Sequence, residues 1–282
     1  MGTWQKLAAA DGTIVPIAPY KAADTTKAVF MMMPALGVQA RLYKGMAERL
    51  ASQGITTILF EQRGHGESPY RPGKGYQAGF RDYLETDIPL VLDWVKQHYP
   101  DKPFFIGGHS LGAHFSAMVA AERPDEVAGI VQLACVFPYY RFFETRRAYG
   151  LRFLCALLPL LSKFMSYYPG HKFGFGANEY WPLMMDWRDW ATCNNYDFGG
   201  ATGTEARMAS YTGPLLSISL EDDRFSSVSA LKKPHQTMAG ADVTLVHLTE
   251  KEQGQYIGHF EWVRRPDGVV KTMIDWIDTC LT

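Results

Sequence analysis

Two hexapeptides, AVFMMM (Ala28–Met33) and ITTILF (Ile55–Phe60), carry apolar or small side chains at nearly every position rather than at every second one. A strand of that kind is buried on both faces. Between them, from about Leu42 to Gln53, the spacing is helical and stops at Gly54, a residue type that commonly terminates helices. The alternation continues with helical spacing over Arg81–His98 (Leu84, Ile88, Val91, Leu92, Val95), a strand over Pro103–Ile106, a helix over Leu111–Glu122 and a strand over Val127–Cys135. Parallel strands need long connections, and those connections become helices. The pattern therefore predicts an α/β fold, a mostly parallel central sheet with helices on both faces. Upstream, Trp4–Ala9 and Thr13–Pro19 flank Asp11-Gly12 and read as a hairpin, because Asp-Gly supplies the positive φ angles of a tight turn.

The rhythm breaks after Val136. From there to about Tyr211 the chain is aromatic-rich and helical in spacing, with FPYYRFF, LRFLCALLPLLSKF and WPLMMDWRDW, and contains no clear buried strand. The α/β rhythm then returns with the strands PLLSISL (Pro214–Leu220) and DVTLVHL (Asp242–Leu248) and a last helix over Pro266–Cys280. This predicts a core domain of residues 1–135 and 214–282 with a helical cap, 136–213, inserted into it. The run Leu151–Tyr168 carries Arg152, Lys163 and Pro159, so it is too short and interrupted to span a bilayer, which takes about 20 apolar residues. It is expected to lie over the active site as a lid, with Leu157, Leu158 and Leu161 on its inner face and weak contact with a membrane surface as a second role.

A chain of 282 residues, 47% of them hydrophobic, buries a core of single-domain size. Its net charge of -1 and lack of a basic stripe argue against nucleic acid as a partner. Cys135, Cys155, Cys193 and Cys280 are scattered without C-x-x-C or Cys/His ligand spacing, so neither a metal site nor a disulfide framework is indicated. No organic cofactor is expected, and no pattern specifies an oligomer. The N-terminus MGTWQKLAAADGT has no basic flank or continuous apolar region, which predicts a cytoplasmic protein.

The stretch FFIGGHSLGAHF (Phe104–Phe115) runs from a strand directly into a helix through Gly108-His109-Ser110-Leu111-Gly112. Flanking glycines let the backbone make a sharp, strained turn that holds the Ser110 hydroxyl clear at a helix N-terminus. A serine that only caps the helix is the simpler alternative. As a nucleophile, Ser110 needs a histidine base and an acid that orients it. After PLLSISL comes Glu221-Asp222-Asp223, and after DVTLVHL comes Ile257-Gly258-His259-Phe260.

In these segments the chain resembles the α/β-hydrolase superfamily, in which serine, acid and histidine follow in that order at the ends of successive strands. Glu61-Gln62-Arg63-Gly64-His65-Gly66-Glu67-Ser68 is similar to the D-x-R-G-x-G-x-S segment common there, with Glu61 in place of Asp. Pro34-Ala35-Leu36-Gly37-Val38 and Tyr168–Gly176 resemble a bacterial group of hydrolases usually placed with serine aminopeptidase-like proteins. The resemblance implies Ser110, Asp223 and His259 as catalytic residues, with Asp222 the rival acid. It implies an oxyanion hole from the N–H of Leu111 and one from the loop after AVFMMM, where Pro34 has no N–H and Leu36 is preferred over Ala35.

The function expected is hydrolysis of a small-molecule carboxylic ester with an apolar acyl or alcohol portion, beneath a cap rich in aromatics (Phe137, Tyr139, Tyr140, Phe142, Phe143, Trp181, Trp187, Trp190). An aminopeptidase would need a cap carboxylate facing Ser110, from Glu144, Glu179, Asp186 or Asp189. An acyltransferase would use the same triad, and a non-catalytic ligand-binding protein would keep only the fold.

Overall fold

The computed structural model describes every residue except Met1, Asp24 and Lys74. The strands are β1 (Gln5–Ala8), β2 (Ile14–Tyr20), β3 (Ala28–Met33), β4 (Ile55–Phe60), β5 (Phe104–His109), β6 (Gly129–Leu133), β7 (Tyr168–Pro169), β8 (Asn178–Glu179), β9 (Pro214–Leu220) and β10 (Asp242–Leu248). The helices are α1 (Lys44–Ser52), α2 (Phe80–Asp82), α3 (Ile88–His98), α4 (Leu111–Glu122), α5 (Thr145–Phe164), α6 (Gly170–Phe173), α7 (Trp181–Thr192), α8 (Thr204–Ala209), α9 (Val228–Thr237), α10 (Glu250–Gln253) and α11 (Asp267–Cys280).

Eight strands form one sheet in the order β1-β2-β4-β3-β5-β6-β9-β10. Only the pairs involving β2 are antiparallel; the others are parallel. At the β1–β2 turn the Thr13 N–H donates to Asp11 Oδ1 (2.8 Å) and Gly12 takes φ 84°, the chemistry expected of Asp-Gly. All of β3, β4 and β5 is buried. Side chains alternate across a strand, and Met31, Met33, Ile58 and Ile106 accordingly enter one apolar cluster while Phe30, Met32, Leu59 and Phe105 enter the other. The second cluster includes Met46 and Leu50 of α1 and Met273 and Ile277 of α11; the first includes Val91 and Val95 of α3 and Phe115 of α4.

Several elements differ from expectation for identifiable reasons. The strand expected to stop at Ile106 continues to His109, so that Ser110 follows it without any loop. The long helix before it is broken by a π-helical turn, Tyr83–Asp87, in which the Ile88 N–H bonds to Tyr83 O. Pro89 has no N–H and its ring crowds the carbonyl four residues back, which opens the preceding turn. Asp87 then takes Arg63 in a two-pronged pair, Nε to Oδ2 at 2.7 Å and Nη2 to Oδ1 at 2.6 Å. The helix α9 was not legible because Lys232, Lys233 and Pro234 interrupt its apolar spacing; Ser227 caps it by accepting the Ala230 N–H.

Between β6 and β9 the chain leaves the sheet and is mostly helical. It contains one short antiparallel pair, β7 with β8, where the sequence offered no strand. Its buried Phe137, Leu158, Tyr180 and Trp190 join the cluster on one face of the sheet, so this segment has no separate core. Among the described residues no helix is long and apolar enough to cross a membrane.

Candidate active site

The turn after β5 is where backbone geometry is most constrained. Ser110 has φ 52° and ψ -112°, a conformation that L-residues rarely adopt and that persists only where the surroundings enforce it. The enforcement is visible on both flanks. A Cβ on Gly108 would lie 2.2 Å from the carbonyl carbon of Gly112, and one on Gly112 would lie 2.4 Å from Met33 O. The Ser110 N–H donates to Leu133 O of β6 at 2.9 Å. The Ser110 hydroxyl makes no capping bond to α4, so the side chain is not used as an N-cap.

His259 lies beyond β10 and α10, and its Nδ1 is 2.8 Å from Asp223 Oδ2. Both residues are buried. The second carboxylate oxygen, Oδ1, accepts the Phe225 N–H at 2.8 Å. A carboxylate only accepts, so Nδ1 of His259 bears the N–H of this bond and Nε2 is the nitrogen not engaged by Asp223. Asp222, the rival acid, is exposed, and the hydrogen bond to His259 is made by Asp223. The His259 ring is packed by Phe225, Phe260 and His109, with centroids 4.9, 4.7 and 4.8 Å away. Ser110 and His259 open into one cavity of about 660 Å³.

Leu36 and Leu111 also line that cavity. Leu111 begins α4, and the first N–H groups of a helix have no partner within it. In the facing loop the Ala35 N–H is already donated to Tyr43 Oη at 3.1 Å, while no acceptor takes the Leu36 N–H among the described residues. Three residues outside the expected set hold this loop. Gln62 Nε2 donates to Ala35 O (2.8 Å) and Val38 O (3.0 Å), Glu61 Oε1 accepts the Ala40 N–H (3.0 Å), and Tyr43 Oη lies 2.8 Å from His109 Nδ1. Tyr43 Oη thus bridges the Ala35 N–H and the His109 ring. Burial holds His109 well below the usual histidine range, so it is a neutral ring.

His114, also on the cavity wall, is neutral for the same reason: burial lowers it to about 4. Its Nε2 donates to Val136 O at 3.1 Å and its Nδ1 faces Tyr196 Oη at 2.8 Å. Among the described residues no three His, Cys, Asp or Glu side chains converge to hold a metal ion.

From the outer segment the cavity takes Phe143, Trp187 and Trp190, together with Arg147, Gly150, Leu151 and Leu154 of α5 and Phe175. Other aromatics expected there do different work: Phe137 packs on Tyr196 (4.7 Å between centroids), and Trp181 Nε1 donates to Met165 O at 2.7 Å. The inner face of α5 is also displaced from expectation. Leu157, Leu158 and Leu161 do not line the cavity; Leu158 is fully buried in the core cluster and Leu161 packs against it. The four carboxylates considered as partners of a substrate amino terminus are likewise elsewhere. Glu179 faces His65 (3.1 Å) and the Ala177 N–H, Asp186 accepts the Phe80 N–H (2.7 Å), Asp189 lies beside Arg188 and Glu144 beside Arg147.

A family model described as serine aminopeptidase, S33, matches residues 24–172, more than half of the 282-residue chain. The chain is 30% identical over 127 residues to mouse monoglyceride lipase, covering 44% of this chain and 40% of that protein. It is 28% identical over 156 residues to human monoglyceride lipase, covering 54% and 50%. The matches thus span half or less of the length of these relatives. A carboxyl esterase from Bacillus coagulans superposes with a TM-score of 0.71 at 14% identity, covering 100% of this chain and 99% of that one, a likeness of fold.

Proposed function

The chain belongs to the serine aminopeptidase, S33, family of α/β-hydrolases, and from that premise we propose that it cleaves carboxylic esters through a covalent intermediate on Ser110. The observation that carries this reading is the meeting, in one cavity, of an uncapped serine at φ 52° with a histidine whose far nitrogen is fixed by a buried carboxylate. In the mechanism, Ser110 Oγ attacks the ester carbonyl while His259 Nε2 accepts the hydroxyl proton and Asp223 stabilises the resulting imidazolium. The Leu111 and Leu36 N–H groups receive the negative charge that develops on the carbonyl oxygen. The tetrahedral adduct collapses with cleavage of the ester C–O bond, and the alkoxide leaves with the proton from His259. A water molecule then gives its proton to His259, attacks the acyl-enzyme and releases the carboxylic acid and free Ser110.

Residues 136–213 act as a cap over this centre. Apart from Arg147 the wall they supply is apolar, and among the described residues it bears no carboxylate, the partner that a substrate's free amino terminus would need. This favours an ester over a peptide. A role at a lipid surface is supported by the opposite face of α5, where Tyr149, Phe153, Leu160 and Phe164 are 68%, 70%, 52% and 80% exposed. At 3.6 residues per turn these four fall within about 60° of arc, flanked by Arg152 and Lys163.

Labelling by a fluorophosphonate, together with turnover of a panel of ester, thioester, amide and aminoacyl substrates by the parent and Ser110→Ala, tests the reading. Labelling at Ser110 with ester turnover is expected. A parent that is neither labelled nor active would return the chain to a non-catalytic binding role. Co-sedimentation with liposomes, lost in Phe153→Ser/Phe164→Ser, is the outcome expected for the outer face.

A further inference from the structure

Among the described residues lining the cavity, the charged side chains other than histidine are two arginines, Arg147 and Arg224. They come from different parts of the fold. Arg147 stands in the first turns of α5, one turn before Leu151, whereas Arg224 directly follows Asp223 in the loop after β9. The Arg147 Nη1 group donates to the backbone oxygen of Arg224, which brings both guanidinium-bearing residues to one rim of the cavity. Each has a carboxylate neighbour outside the cavity, Glu144 for Arg147 and Glu261 for Arg224, both at 3.7 Å between exposed side chains. Pairs that long and that exposed are weak, and a guanidinium has five N–H donors, so most of the donors on both arginines are uncommitted. Below this rim the wall is apolar: Leu36, Phe143, Leu151, Leu154, Phe175 and Phe225.

A rim with two arginines and an oily floor is complementary to an amphiphile with an anionic end. We infer that the ester taken by this site itself carries an anion, a carboxylate or a phosphate, which Arg147 and Arg224 hold while the apolar portion occupies the floor. Planar guanidinium groups bind both of these anions through paired N–H···O bonds. The subsite lies close to the reacting groups, since Arg224 is next to Asp223 and the Phe225 ring is 4.9 Å from that of His259. This inference rests on the hydrolase reading for its word "ester" but not for the anion itself, which a binding measurement addresses without turnover.

Trp187 and Trp190 line the cavity and supply an intrinsic fluorescence signal. Decanoate, decyl phosphate and decanol are titrated below their aggregation concentrations into the parent, Arg147→Gln/Arg224→Gln and Arg147→Lys/Arg224→Lys, each checked for folding by circular dichroism. At least one anion is expected to bind about tenfold more tightly than decanol, with the advantage shrinking as salt rises, collapsing in the glutamine pair and returning in part in the lysine pair. The tighter of the two anions identifies the head group. Decanol binding as tightly as both anions, or an anion advantage that survives the glutamine pair, overturns the inference. If Ser110 is labelled and neutral esters turn over while no anion advantage is found, the hydrolase reading stands and this one falls. If anions bind as expected but Ser110 is inert, the reverse holds.

Discussion

The hydroxyl of Tyr43 lies 2.8 Å from Nδ1 of His109, and through it the residue before the proposed nucleophile is tied to the loop that carries the second proposed oxyanion donor. Tyr43→Phe removes both the acceptor of the Ala35 N–H and the partner of His109 Nδ1, leaving two buried polar groups unpaired. A loss of about 1–3 kcal/mol in unfolding free energy is expected. Because the oxyanion loop is loosened while the apolar wall is untouched, kcat should fall by about tenfold or more with KM changed much less. Equal changes in both constants would mean that Tyr43 supports only the fold.

Ser110→Ala and His259→Ala should each lower kcat by about 10⁴-fold, and the double variant should be little worse, since residues that act as a unit are not additive. Steady-state kinetics on a chromogenic ester measures this; near-normal turnover by Ser110→Ala would remove the covalent mechanism.

Asp223→Asn is expected to be far more damaging than Asp222→Asn. The asparagine would present an N–H or a weaker acceptor to His259 Nδ1, disturbing its tautomer, whereas Asp222 is exposed and is not the ring's hydrogen-bond partner. Side-by-side kcat values decide between them.

Leu151→Asp and Leu154→Asp should alter substrate preference or KM more than Leu157→Asp or Leu161→Asp, because only the first two line the cavity. Phosphonylation of Ser110 by a small probe should change less than ester KM in all four, provided circular dichroism shows them folded. Identical ester profiles in the first pair would detach α5 from substrate binding.

Acid should draw stability from the protein through its buried histidines, while Asp87 and Asp186, raised to about 6 by burial, pull the other way. His114 is lowered by burial from 6.5 to about 4, so between those values the unfolded chain binds the proton and the native one does not. The His114 contribution to stability therefore rises with pH across that window, and what is present above pH 6.5 is lost as pH falls toward 4, on the order of 3 kcal/mol. His109 acts in the same direction. Between pH 7 and pH 4 the urea midpoint of the parent should lose ground relative to that of His114→Gln.

The central strands were legible because a run buried on both faces has no inside to misassign; Ala28–Met33, Ile55–Phe60 and, nearly so, Pro214–Leu220 fall where their apolar runs do. The turn at Ser110 was legible because glycine, histidine and serine between a strand and a helix leave little else to build. The inner face of α5 was not. Its apolar residues form stripes on opposite sides, one exposed at Phe153 and Phe164 and one in the cavity at Leu151 and Leu154, and composition cannot rank two such faces. Tyr43 and Gln62 escaped for a different reason. Their partners lie 66 and 27 positions away, and no local pattern marks a hydrogen bond of that reach.

The contact of Gly112 with Met33 O, which leaves no room for a methyl group, divides the cavity into a half that can be redesigned and one that cannot. A library randomised at positions 108 and 112 would collapse back to glycine, and with it the spacing between the serine and the backbone amides opposite would stay invariant. The same effort spent at Leu151, Leu154, Phe143 and Phe175, partly exposed side chains of the cavity wall, would leave the reacting groups in register. Directed evolution of this protein should therefore move its appetite for substrates freely while its chemistry stays where it is.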